Sequence, residues 1–161
     1  MVIVVMGVAG CGKTTVGRAL AESLAWEFRD ADEFHPAANV AKMAAGHPLT
    51  DADREPWLAA IRAFIEQKLE HGENGVVTCS ALKERYRTRL VADPERVKLV
   101  QLDGSPELLA ARIAGRRDHF MKPDMLASQL AAFEPPHHAL TVNVAPPPAD
   151  IVREIRHGLA L

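Results

Sequence analysis

Short apolar runs alternate along this chain with longer segments of helical period. Four runs are clear, Val2–Met6, Gly75–Cys79, Val97–Leu102 and Leu140–Val144, and a weaker one lies near Trp26–Arg29. Runs this short, separated by helical stretches, predict parallel strands joined by crossover helices. The punctuation between them agrees. Thr50 followed by Asp53 reads as a capping box that opens a helix running to about Gly72. Ser80 reads as the cap of a helix through Leu90. Ser105-Pro106-Glu107 supplies an N-cap, an N1 proline and an acid that complements the helix dipole. The amphipathic Ala149–Leu161 segment closes the sheet. The expectation is a small doubly wound α/β domain with a five-stranded parallel sheet. Two stretches break the rhythm: a polar, turn-rich insertion over residues 35–50, and a basic connection over residues 115–123.

Composition narrows the picture. At 161 residues, 48% of them apolar, the chain has material for one core, and disorder is excluded. No stretch approaches the ~20 apolar residues that a membrane span requires. A net charge of −2 argues against a general polyanion binder, so neither nucleic acid nor a membrane is expected as partner. Thirteen Arg stand against six Lys, and seven of those Arg fall between Arg85 and Arg117. Arg suits bidentate contacts to phosphate and carboxylate. The two cysteines, Cys11 and Cys79, are too few for a disulfide scaffold or zinc site, and no histidine pair has ligand spacing. The apolar N-terminus lacks a basic leader and runs straight into a glycine-rich loop. It reads as a core strand, and a cytoplasmic protein is expected.

That loop, Gly7-Val8-Ala9-Gly10-Cys11-Gly12-Lys13-Thr14, matches G-x-x-x-x-G-K-[ST] at every fixed position, between a strand and an amphipathic helix. Backbone N–H groups must converge on a phosphate there, and side chains at the tight positions would block the approach. Lys13 is expected to bridge the β- and γ-phosphates of a nucleoside triphosphate, Thr14 to offer its hydroxyl to Mg²⁺, and Thr15 to complete the nucleotide-binding set. No D-x-x-G or N-K-x-D pattern supports a GTPase, and no G-x-G-x-x-G supports a dinucleotide fold. What remains is a compact small-molecule kinase of the three-layer P-loop NTPase type. Asp30-Ala31-Asp32 follows the weak second strand, which puts both carboxylates at the ligand-binding edge of the sheet, on one side of an extended segment. Asp30 is expected to orient Mg²⁺ and Asp32 to accept the proton of an acceptor hydroxyl.

Asp30-Ala31-Asp32-Glu33-Phe34-His35-Pro36, Pro48-Leu49-Thr50-Asp51, Asp53-Arg54 and Pro56-Trp57-Leu58 resemble the gluconate kinase (gluconokinase) family. So do Cys79-Ser80-Ala81-Leu82-Lys83, Tyr86-Arg87, Gly115-Arg116 and His119-Phe120, and the likeness covers roughly residues 1–135. The resemblance implies ATP-dependent phosphorylation of D-gluconate on its 6-hydroxyl, giving a product that feeds the pentose phosphate or Entner–Doudoroff routes. It also implies a fold close to shikimate kinases and commonly a homodimer.

Gluconate carries one carboxylate and a row of hydroxyls. Arg54, Lys83 and Arg87 are candidate carboxylate anchors, and His35 and Ser80 could meet hydroxyls. Trp57 and Met43 read as packing residues. The acceptor insertion is expected over about 35–72, and the family resemblance makes about 112–123 the lid of a single domain spanning 1–161. Arg116 would contact the γ-phosphate and Arg112 would lie nearer the adenine, beside Ala145-Pro146-Pro147-Pro148. The chain departs from the family at Pro136-His137-His138, where an acidic stretch is usual. Two alternatives stand beside this reading: a shikimate or other small sugar-acid kinase, and a nucleotide-binding regulatory module without an acceptor.

Overall fold

Every residue of the strand Val2–Met6 (β1) is buried, as the central strand of a sheet covered on both faces must be. The structure, a computed structural model describing residues 1–115 and 123–161, sets β1 in the middle of a five-stranded sheet. The other strands are Glu27–Asp30 (β2), Gly75–Thr78 (β3), Val97–Asp103 (β4) and Leu140–Asn143 (β5), in the order β2-β3-β1-β4-β5. Every neighbouring pair is parallel. All five C-terminal ends therefore open on one edge.

Side-chain alternation along β1 divides the core. Ile3 and Val5 face Val16 and Leu20 of α1 (Lys13–Leu24), Leu109 of α5 (Pro106–Ala114), Leu126 of α6 (Pro123–Ala132), and Ile151 and Ile155 of α7 (Pro148–Gly158). Val2, Val4 and Met6 face Trp57, Leu58, Ile61 and Ile65 of α3 (Asp51–Glu70) and Tyr86 and Leu90 of α4 (Glu84–Leu90). This is the expected α/β architecture of three layers. The insertion contains one short helix, α2 (Ala37–Ala44), which starts directly after Pro36.

Local signals act largely as their chemistry dictates. Thr50 and Asp53 form the capping box of α3, with Thr50 N donating to Asp53 Oδ2 at 2.6 Å and Asp53 N to Thr50 Oγ1 at 3.2 Å. Ser105 Oγ accepts from Leu108 N at 3.2 Å at the start of α5. Two expectations need correction. Ser80 does not cap α4; that helix begins at Glu84, with Lys83 as an N-cap that offers no side-chain acceptor. Asp30 and Asp32 do not share an extended segment either. β2 ends at Asp30, and Ala31–Phe34 is a 3-10 turn that Asp30 itself caps.

Candidate active site

The loop after β1 is shaped for a polyanion. Gly10 has φ of 82°, and a Cβ there would lie 2.9 Å from Leu109 O. Gly12, at φ 89°, forms the left-handed N-cap of α1. No side chain caps α1 and no acid occupies its first turn, unlike α3, so its first N–H groups remain available to an anion. Lys13 Nζ donates to Gly7 O at 2.9 Å and Val8 O at 3.1 Å, which holds the ammonium over the loop. Val8, Ala9 and Cys11 are buried beneath it, whereas Thr15 is exposed. Thr14 Oγ1 donates to Asp30 Oδ2 at 2.7 Å. This hydroxyl and carboxylate are hard oxygen donors, the set that suits Mg²⁺ alongside phosphate oxygens and water.

Asp30 ties this loop to the acceptor side. Its Oδ1 accepts from Asp32 N at 3.2 Å, and Glu33 Oε1 accepts from Asp30 N at 3.2 Å, which sets the turn that carries an exposed Asp32. Trp57, 5% exposed, donates Nε1–H to Ala31 O at 2.7 Å. The His35 ring stacks on Trp57 at 4.6 Å and 9°. Burial lowers the His35 pKa below its ordinary value; the Asp32 charge opposes that shift and the Arg54 charge adds to it. His35 therefore lies within electrostatic reach of both Asp32 and Arg54.

The insertion is pinned onto the start of α3. Asn39 Nδ2 donates to Asp53 O at 2.7 Å, and Lys42 Nζ pairs with Asp53 Oδ2 at 2.6 Å. The Lys42 bond, followed by the Thr50 bonds, holds the Asp53 carboxyl down to about 2. Met43 is 43% exposed on α2, so it does not pack as expected; α2 is held to the start of α3 by the polar bonds of Asn39 and Lys42, which leave Met43 outside.

The three candidate anchors differ in what already holds them. Arg54 Nη1 lies 3.6 Å from Asp51 Oδ1 and 3.5 Å from Tyr86 Oη, so an acidic neighbour offsets its unfavourable place near a helix start. Tyr86 Oη and Arg85 Nη2 both donate to Asp51, at 2.6 and 2.5 Å. Arg87 is the most fully held of the three. It is 2% exposed, and its guanidinium reaches Ala81 O at 2.9 Å, Leu82 O at 3.2 Å and Glu84 Oε2 at 2.6 Å. That web braces the loop in which Ala81 takes a φ of +42°. Arg87 shapes the loop that presents Ser80 and Lys83, both of them partly exposed, and has little left for a ligand.

Cys79, at the start of that loop, senses the whole cluster. Burial pushes its thiol up to about 12; Lys13 acts against this, while Asp32 and Asp30 add to it. The β2–β3 register, which pairs Asp30 with Thr78, sets Asp30 at that same end of β3. Cys11 and Cys79 are fully buried in the two different halves of the core, so neither has the exposure of a redox-sensitive thiol.

On the far side of the phosphate loop lies a cleft of about 220 Å³ between Gly10, Gly12, Thr15, Arg112, Pro146 and Pro148. Arg112 Nη2 donates to Val144 O at 2.6 Å, which holds the guanidinium as one wall of that cleft. Arg116, with the rest of residues 116–122, lies outside the described residues.

Sequence reasoning passed over two contributors. The sequence marks Trp57 as packing alone, yet a buried indole N–H must find an acceptor, and this one finds the turn that carries Asp32. Gln129 Oε1 accepts from Ala9 N at 2.6 Å, across a separation of 120 residues that no spacing rule bridges. Trp57→Phe keeps a ring against His35 but deletes the N–H. It is expected to cost about 1–2 kcal/mol and to lower Tm by a few degrees. Urea unfolding with matched m-values checks this; an unchanged midpoint would mean that the Ala31 bond contributes nothing.

Comparisons with known proteins agree with this geometry. Residues 2–136 match the family model described as an AAA domain. A gluconokinase of Gluconobacter oxydans is 48% identical over 134 residues, spanning 83% of this chain and 75% of that protein. The crystal structure of a gluconokinase from Sinorhizobium meliloti superposes with a TM-score of 0.85 at 46% identity, covering 98% of this chain and 90% of that one. Shikimate kinase from Bacteroides thetaiotaomicron reaches a TM-score of 0.69 at 19% identity, covering 100% of this chain and 99% of that one, a likeness of fold alone. With close identity over most of its length and a phosphate loop facing a paired-aspartate turn, the chain belongs to the gluconokinase family of P-loop kinases.

Proposed function

We propose that residues 1–161 act as a single kinase domain that transfers the γ-phosphoryl group of ATP to the 6-hydroxyl of D-gluconate. The observation that carries this reading is the Thr14–Asp30 bond, which joins the phosphate loop to the turn bearing Asp32. In this mechanism Asp32 accepts the proton of the 6-hydroxyl as its oxygen attacks the γ-phosphorus, and ADP leaves. Lys13 neutralises charge on the β- and γ-phosphates, and the backbone of residues 7–15 cradles them. Thr14 and Asp30 would hold Mg²⁺, directly or through water; when bound, the ion offsets phosphate charge. Arg112 and the proline loop would enclose the adenine, and Arg116 would close over the transferring group.

On the acceptor side, Arg54 and Lys83 take the gluconate carboxylate, with His35 and Ser80 on the hydroxyls. Arg87 braces the Lys83 loop from below. His35 acts as a neutral ring, and its lowered pKa keeps it so at neutral pH. A histidine buried neutral contributes stability that is present above its unfolded value near 6.5 and is lost as pH falls through that value toward the folded one. The gluconate KM is therefore expected to stay flat from pH 8 to about 6.5 and to rise only on the acid side. A KM that changes about tenfold between pH 7 and 8 would contradict a neutral His35.

The same reading takes the enzyme to act in the cytoplasm, and to be a homodimer, as the family resemblance implies. Among the described residues no helix is long and apolar enough to cross a membrane. The test is ADP release with gluconate, shikimate, AMP or no acceptor. Gluconate-dependent turnover is expected. Preference for shikimate would redirect the substrate, and equal release without any acceptor would favour a nucleotide-binding module.

A further inference from the structure

We propose that the stretch from Gln129 to Glu134 is a strap that fixes the phosphate loop and the acceptor loop relative to each other, with Gln129 and Glu134 as positioning residues. At one end, Gln129 Oε1 accepts from Ala9 N at 2.6 Å. At the other, Glu134 N donates to Leu82 O at 2.9 Å, and Glu134 Oε2 accepts from Glu84 N at 2.6 Å. Between the two ends, Phe133 packs against both halves of the core, whereas Leu130, like Leu126 just before the strap, belongs with the half on the α1 side. A single short segment thus crosses the strand-end edge of the sheet. One end is bonded to the loop proposed to hold ATP and the other to the loop that carries Ser80 and Lys83.

The residue types suit their two tasks. Ala9 is buried, and its N–H needs a partner wherever water is shut out. A carboxamide supplies that partner without setting a negative charge beside a loop that must receive phosphates. At the other end the demand is reversed. Lys83 offers α4 no side-chain cap, so Glu134 supplies the acceptor from a distance of 50 residues, and the helix dipole favours its charge. Arg87 braces the same loop from within, through Ala81 O and Leu82 O, so Leu82 O is held from both directions.

Productive transfer needs the acceptor oxygen in line with the γ-phosphorus, and small misplacement is costly. The strap sets the spacing of the two halves of that line. This inference rests on the gluconate reading, because its second half is read through the acceptor.

Steady-state kinetics with ATP and gluconate, ADP calorimetry without gluconate, and Tm test it on the full chain. Gln129→Ala is expected to raise the ATP KM and the ADP Kd about tenfold, with the gluconate KM within about twofold. Glu134→Ala is expected to do the reverse, and Glu134→Gln, which keeps an oxygen acceptor, to recover most of the loss. Gln129→Met, closer in volume to Gln, replaces the Ala variant should that one unfold. Both Ala variants are also expected to lower kcat about tenfold, since either one releases the alignment of the two loops; variants that lower Tm but leave kcat and every KM unchanged, or that change a KM with kcat at the wild-type value, would overturn the strap. Wild-type protein without gluconate-dependent turnover would fail the substrate reading instead, and ADP calorimetry on Gln129→Ala would still decide the Gln129 end.

Discussion

Asp32→Asn is expected to lower kcat by about 10³-fold with little change in either KM, since general-base catalysis contributes roughly 10²–10⁴. The substitution conserves shape and keeps an oxygen acceptor, so binding should survive while proton acceptance does not. Asp32 is well placed for so selective an effect. It is exposed on its turn, and the bonds that shape the turn belong to Asp30, Glu33 and Trp57 rather than to its own carboxylate. The fold should tolerate the change. Steady-state kinetics together with an unaltered Tm would establish the role. A loss under tenfold would remove Asp32 from the chemistry and point to Asp30.

Lys13→Ala ranks next, with an expected loss of about 10²–10³ in kcat/KM for ATP, the usual cost of deleting one preorganised charge or donor at a phosphoryl group. Its ammonium rests on Gly7 O and Val8 O, two carbonyls of the loop it serves, so it needs only to turn to meet a phosphate. Removing it leaves those carbonyls at a partly exposed surface where water can replace it, and global stability should fall by less than about 1 kcal/mol. Nucleotide affinity and turnover measured together check this. A variant that binds and turns over ATP normally would mean that the backbone cradle carries the site alone.

The parts of this molecule that were legible in its sequence are those whose causes are local. β1 and the phosphate loop are written contiguously, as are the Thr50–Asp53 capping box and the Ser105 cap, and each forms where its chemistry requires. The Asp30–Asp32 turn was half legible. The pair was placed at the correct edge, but the segment is a 3-10 turn because Asp30 caps it, and spacing cannot separate a short turn from a strand end. Ser80 looked like a cap because Ser commonly is one; the cap of α4 comes instead from Glu134. Arg87 looked like an anchor because Arg suits carboxylates. What decides its role is the brace it forms on Ala81 and Leu82, visible only once the loop is folded. The same holds for Trp57 and Gln129, whose partners are backbone atoms that no side-chain pattern marks.

The most direct test of the central claim is to identify the atom that receives the phosphoryl group. Wild-type protein, ATP, Mg²⁺ and uniformly ¹³C-labelled gluconate would be followed by ³¹P and ¹³C NMR. The expected product shows phosphorus coupling at C6, appears at the rate of ADP release, and is lost with Asp32→Asn. Phosphorus coupling at another carbon, or release of inorganic phosphate alone, would contradict the assignment.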